Sequence, residues 1–191
     1  MNTVHGLDDR ARFQRANRRM VVAAYDCVGT LTTALIVLAL LLAYAFRIVG
    51  VDGTSMLPTL KDGDMLLLNT YDSSYSHGDV VVVERYTNKP LIKRVIAVGG
   101  DTISIGDNGV VTVNGKVLKE SYIQGITLCN DFPKNTVVTV PNGSLFVMGD
   151  NRITATSSLD SRSEEIGFIS EKDVVGKAVL RLWPMQSIGR V

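Results

Sequence analysis

Charged positions vanish from the chain between Cys27 and Phe46, where the run reads "CVGTLTTALIVLALLLAYAF". About twenty residues rising 1.5 Å each span roughly 30 Å, the thickness of a bilayer's hydrocarbon core. The pattern predicts a transmembrane helix over 27–49, followed by a change of period. From residue 50 on, short runs rich in Val and Ile alternate with Gly, Asn and Asp. The segments "MLLLNTY" (65–71), "DVVVVERY" (79–86), "LIKRVIAV" (91–98), "DTISIG" (101–106), "GVVTVNGKVL" (109–118), "TVVTVP" (136–141), "SLFVMGD" (144–150) and "VVGKAVLRLWP" (174–184) all predict strands. Asn114-Gly115 between two apolar runs predicts a type I′ hairpin. No long helical period occurs after residue 50, and "SEKDVVG" (170–176) supplies at most one short turn. The stretch from Glu120 to Asn135 has weak periodicity and reads as an insertion or loop across the outer surface. The fold class is therefore mainly β, an irregular multi-stranded antiparallel β domain preceded by one N-terminal transmembrane helix.

Charge sets the orientation of that span. The 191 residues carry a net charge of +1, which gives no electrostatic reason to expect nucleic acid. The balance is uneven, since Arg10, Arg12, Arg15, Arg18 and Arg19 precede the apolar run against only Asp8 and Asp9. Positive charge stays on the cytoplasmic side. Residues 1–26 are thus read as a cytoplasmic basic N-terminus, 27–49 as the span and 50–191 as an extracytoplasmic domain, with the lipid bilayer as a partner. A cleaved signal peptide is the competing reading, with "AYA" at 43–45 as its cleavage pattern, but the run is longer than the usual apolar region of a signal peptide. Thr30, Thr32 and Thr33 can bond their own helix backbone in lipid, and Tyr25 and Asp26 fall near the inner interface. The only cysteines, Cys27 and Cys129, form neither a disulfide framework nor a metal pattern. No cofactor or metal is expected, and Cys129 reads as a small buried hydrophobe.

Candidate chemistry begins at "VDGTSMLPTL" (51–60), where Ser55 lies in a turn soon after the span. A nucleophilic serine needs a base. His5 lies on the far side of the span, and His77 lies in a turn before a strand, where a surface role is the ordinary one. Lysine remains, but at its ordinary pKa of about 10.4 only about 0.04% is neutral at pH 7. Burial in apolar surroundings can lower that pKa by up to about 3–5 units. A base lysine should therefore sit in a hydrophobic strand, with no carboxylate close enough to hold its proton. Lys93, flanked by Leu91, Ile92, Val95 and Ile96, meets that requirement; an edge lysine whose head reaches water is the competing reading. Alternation puts Lys93 and Arg94 on opposite faces, one inward and the other outward. Met56 and Leu57 either dip into the membrane interface or pack in the core.

The blocks "GTSMLPTL" (53–60), "HGDVVVV" (77–83), "IKRVIAVGGD" (92–101) and "FVMGDNR…SLDSR…G" (146–152, 158–162, 167) resemble, in content and order, those of type I signal peptidases. The resemblance covers essentially the whole outer domain. It implies a membrane-anchored serine endopeptidase with a Ser/Lys dyad that removes signal peptides from exported preproteins, which would be its substrate partners. It implies Ser55 as nucleophile and Lys93 as general base. Ser158 matches the serine that orients the lysine, Asp160 and Arg162 a structural ion pair, and Asp150 and Arg152 supporting residues. Two departures stand out. "ITATS" (153–157) makes the spacing about three residues longer than usual, so Thr156 and Ser157 compete with Ser158 for the orienting role. Gly53 stands where some members carry a serine that donates to the oxyanion, and no second donor is evident. Rival readings are a self-cleaving repressor protease, a specialised signal peptidase with a narrow clientele, and a catalytically inert membrane-tethered β module. The clientele and the oligomeric state stay open.

Overall fold

The structure, a computed structural model, describes residues 3–84, 89–153 and 159–191, with the side chains of its helix described from residue 18. Helix α1 spans Thr3–Ala45, and its stretch Arg18–Ala45 is long and apolar enough to cross a membrane. Thr30, Thr32 and Thr33 donate their hydroxyls to the carbonyls of Asp26, Val28 and Gly29 at 2.8, 2.8 and 2.9 Å. Each threonine thereby satisfies its polar group within the helix, as an apolar medium demands.

The helix ends at Ala45 rather than at residue 49. Phe46–Gly50 instead forms strand β1, paired antiparallel with β2 (Met65–Asn69), Phe46 opposite Asn69 and Gly50 opposite Met65. Ile48 and Val49 suit a span and a strand equally, so the apolar pattern runs on across the boundary. Pairing with a strand some twenty residues later decides it, and Thr70 reinforces the junction by donating its N–H and hydroxyl to the Ala45 carbonyl at 2.9 and 3.1 Å. The chain accordingly divides into two compact units, Met1–Tyr44 and Ala45–Val191.

The second unit is antiparallel β. Its further strands are β3 (Val80–Val83), β4 (Leu91–Val98), β5 (Thr102–Ile105), β6 (Val111–Val113), β7 (Lys116–Val117), β8 (Val138–Thr139), β9 (Ser144–Met148), β10 (Ile169–Ser170), β11 (Val174–Trp183) and β12 (Gly189–Arg190). Every segment predicted as a strand contains one. The larger sheet runs β1-β2-β11-β3-β4-β9-β10 with β12 beside β11, and the smaller runs β7-β6-β5-β8. Asn114 and Gly115 turn β6 into β7 with φ of 51° and 73°, the two positive values that a type I′ turn requires. Glu171–Asp173 forms the single short turn of helix expected near 170–176.

Strand β4 lies where the buried clusters meet. Ile96 and Ala97 pack with Ile103, Ile105 and Phe146 of one cluster. Ile92 packs with Met56, Leu60 and Val82 of a second, and Val95 with Val81 and Val147 of a third. With β3 on one side and β9 on the other, residues Ile92 through Ala97 are all buried. The expectation that Lys93 and Arg94 divide between interior and solvent therefore fails, because both faces of this strand are interior. The 120–135 stretch is also no surface loop alone. Thr127, Cys129 and Phe132 are buried, and Cys129 and Phe132 join the first cluster. An irregular backbone that contributes single side chains to a core leaves no period to read.

Candidate active site

Ser55 lies in a turn that follows β1 and closes before β2. The turn is tied by Val51 N–H to the Asp64 carbonyl at 2.8 Å, Gly53 N–H to the Asp62 carboxylate at 2.8 Å and Leu60 N–H to the Met56 carbonyl at 2.9 Å. Met56 is only 1% exposed and packs in the core, so of its two expected placements the interior one holds. Gly53 has φ +96°, a backbone conformation that disfavours any side chain, which accounts physically for glycine at this position. The N–H of Ser55 has no acceptor among the described residues and is left available to a ligand.

Residues following β9 hold that turn. Asn151 donates its backbone N–H to the Ser55 carbonyl at 2.9 Å and its side-chain amide to the Thr54 carbonyl at 3.1 Å. Thr59 donates its hydroxyl to Asp150 Oδ2 at 2.5 Å. Arg94 grips the same carboxylate with two bonds, Nε to Oδ1 at 2.8 Å and Nη2 to Oδ2 at 2.6 Å. Its third bond goes to the Gly78 carbonyl at 2.7 Å, and its guanidinium lies 4.2 Å from the centre of the Tyr122 ring. Register puts Arg94 opposite Met148, just before Gly149 and Asp150.

Lys93, one residue before Arg94, is 2% exposed. Burial lowers its pKa from the usual lysine value to about 8, against an opposing pull from Asp160, a further lowering by Arg162 and a smaller opposing pull from Asp150. The two carboxylates are committed elsewhere. Asp160 takes Arg162 Nε at 2.9 Å and Nη2 at 2.7 Å, besides the N–H groups of Arg162 and Gly149. Asp150 is held by Arg94. Thus desolvation outweighs the nearby negative charge, the condition for a lysine that gives up its proton near neutrality. Among the described residues neither the Lys93 amine nor the Ser55 hydroxyl has a hydrogen-bond partner, so the two are not bonded to each other.

Of the supporting residues expected, Asp160 and Arg162 form the anticipated buried pair. Asp150 and Arg152 are both buried but do not pair with one another. Asp150 serves Arg94 and Thr59, whereas Arg152 bonds the Glu120 carboxylate at 2.6 Å, the Thr127 hydroxyl at 2.5 Å and the Gly149 carbonyl at 2.6 Å. Ser158 and its competitors Thr156 and Ser157 lie outside the described residues. His77 is a half-exposed loop residue 2.6 Å from Asp101. Sequence reasoning missed Thr59, Glu120, Tyr122 and Asn151, whose roles depend on partners remote in the chain. No group of His, Cys, Asp and Glu suited to a metal occurs among the described residues.

The family described as signal peptidase, peptidase S26, matches residues 24–183. Signal peptidase I of Bacillus licheniformis is 33% identical over 177 residues, covering 86% of this chain and 91% of that protein. Signal peptidase I of Bacillus caldolyticus is 36% identical over 168 residues, covering 80% and 88%. Signal peptidase I T of Bacillus subtilis is 35% identical over 171 residues, covering 80% and 84%. A match that runs from the apolar helix to the end of β11, and takes in both the Ser55 turn and the Lys93 strand, means that this chain belongs to the signal peptidase family, peptidase S26.

Proposed function

We propose that Ser55 and Lys93 are the nucleophile and general base with which this signal peptidase cleaves signal peptides from preproteins. The observation that carries the reading is the burial of Lys93 in an apolar sheet, with its pKa lowered to about 8. A fraction of roughly a tenth of the amine is then neutral at pH 7, several hundred times more than for a free lysine.

In the proposed reaction, neutral Lys93 Nζ takes the proton of Ser55 Oγ as the oxygen attacks the carbonyl carbon at the end of the signal peptide. The oxyanion is met by the free N–H of Ser55. Collapse breaks the C–N bond, and Lys93 returns the proton to the departing amine. The resulting ester is hydrolysed when Lys93 takes a proton from water as the water oxygen attacks the acyl carbon; the C–O bond to Ser55 breaks and Lys93 returns the proton to Ser55 Oγ. The substrate binds extended, so that main-chain bonds give affinity and shallow pockets select small side chains. In the same reading Arg18–Ala45 is a single span, with the arginine-rich N-terminus in the cytoplasm and the β unit on the opposite side. The substrate's own apolar segment then lies in the same bilayer as the anchor.

Ser55→Ala and Lys93→Met should each abolish cleavage of a preprotein while the protein still folds and inserts. Lys93→Arg should fail as well, since a guanidinium does not give up its proton at accessible pH. Cleavage surviving any one of these substitutions overturns the assignment.

A further inference from the structure

We propose that Thr59 is a positioning residue for the catalytic pair, its hydroxyl fastening the nucleophile's turn to the strand that carries the base through the buried carboxylate of Asp150. The proposal rests on the Ser55/Lys93 reading. Its geometry is a short chain of contacts. Arg94 follows Lys93 directly on β4 and holds Asp150 by two bonds. Oδ2 of Asp150 accepts both Arg94 Nη2 at 2.6 Å and the Thr59 hydroxyl at 2.5 Å. Thr59 stands four residues after Ser55, in a turn closed by the bond from Leu60 N–H to the Met56 carbonyl. Asp150 is 0% exposed, so water does not substitute for a lost partner there.

The backbone of Thr59 is held independently. Arg181 of β11 donates to its carbonyl at 3.0 Å and to Asp64 at 3.3 Å, and its Nε is fixed by the Ser187 carbonyl at 2.7 Å. Removing the hydroxyl therefore leaves the turn attached to β11 and releases only its link to Asp150. Two effects follow. On that side Ser55 is then held only by the Asn151 bonds to the Thr54 and Ser55 carbonyls, so its position relative to Lys93 loosens, and misplacement by about 1 Å costs on the order of 10²-fold in rate. The Asp150 carboxylate also loses a donor that draws off its charge. The charged groups acting on Lys93 are Asp160, Arg162 and Asp150, with Asp150 favouring the protonated amine. A less satisfied Asp150 holds that proton more strongly, so the rise of activity with pH moves to higher pH.

The test uses the full-length protein in detergent with one preprotein. Thr59→Val should lower kcat by roughly 10–100-fold with KM within about twofold of the parent, and move the alkaline rise upward. Thr59→Ser, which keeps the hydroxyl, should restore most of kcat and the parental pH profile. In an Asp150→Asn background, Thr59→Val should cost far less than in the parent, because the strap is already weakened. This cycle compares soluble, folded variants even where one single substitution lowers stability. Parental kcat in Thr59→Val, equal loss in the Val and Ser variants, or an undiminished loss in the Asp150→Asn background would each overturn the proposal. Ser55→Ala distinguishes the underlying reading, because its inactivity together with an unimpaired Thr59→Val removes only the strap.

Discussion

On the proposed Ser55/Lys93 reading, a single amine sets the pH behaviour of this enzyme. Lys93 is a base only when neutral, and its pKa of about 8 places that change just above neutrality. Activity should therefore be low at pH 6, rise through pH about 8 and level off above it. A log kcat/KM profile that is flat from pH 6 to 9 removes Lys93 as the base. The same burial has a cost in stability. An unfolded chain holds the lysine proton up to the ordinary lysine value, whereas the folded chain gives it up at about 8. Between those limits the unfolded state binds more protons, so the contribution of Lys93 to stability is least favourable below pH 8 and improves as pH rises toward 10. The difference is about 3 kcal/mol. Lys93→Met, though inactive, should therefore melt about 5 °C or more above the parent at pH 7, with the gap closing by pH 10. A Met variant that is less stable at pH 7 contradicts the claim that the site strains against its own lysine. Such opposition between stability and function is expected where a fold holds a charge-bearing group in an apolar place.

At the scale of elements, the site is a crossing of segments rather than one motif. Residues 120–127 run against 150–153, with Gln124 N–H to the Asp150 carbonyl at 2.9 Å and Arg152 N–H to the Gln124 carbonyl at 2.7 Å. Gly125 lies at the crossing with φ +90°, and a Cβ there would stand 2.5 Å from Ile153 Cγ1 and 3.0 Å from its nitrogen. Gly115, in the hairpin turn, also has a positive φ of 73°, but a Cβ there meets nothing within 4 Å. The pair separates backbone strain from crowding. Gly115→Ala should cost about 1–2 kcal/mol in stability and leave kcat unchanged. Gly125→Ala should cost more and also lower kcat, because it pushes on the segment whose Asn151 holds the Thr54 and Ser55 carbonyls. Equal kcat in the two variants would show that the crossing does not govern the site. The strands themselves were legible, since Val-rich runs broken by Gly, Asn and Asp state their period locally. The burial of Lys93 was legible for the same reason, as a charge within an apolar run. The partners were not. Arg94 meets Asp150 from 56 positions away and Arg152 meets Glu120 from 32, and no local pattern encodes a pairing at that separation. The 120–135 stretch reads as a surface loop because Thr127, Cys129 and Phe132 enter the core singly, without a repeat.

For the whole molecule, the two units meet opposite demands. In the β unit, apolar side chains gather into clusters between sheets and turns. Along the helix, Leu31, Leu35, Leu38 and Leu42 are all exposed, and the window that makes it long enough to cross a membrane is unburied. A helix with apolar residues all around gains nothing from water, and a bilayer supplies the burial that the protein does not. The apolar helix was readable from composition, and its end was not, because Phe46–Gly50 is apolar enough to continue it and turns into a strand only by pairing with β2. If the anchor serves to share a membrane with the substrate, its value is effective concentration rather than chemistry. A chain lacking residues 1–44 retains the whole unit Ala45–Val191. It should melt cooperatively and cleave a short soluble peptide carrying the cleavage site with a kcat within a fewfold of the full chain. On a preprotein embedded in vesicles its kcat/KM should fall by about 10²-fold or more, since a bimolecular encounter replaces a shared surface. Efficiency on vesicles equal to that of the full chain would mean that the helix is dispensable for finding the substrate. Loss of activity on the soluble peptide as well would mean that it helps to form the site.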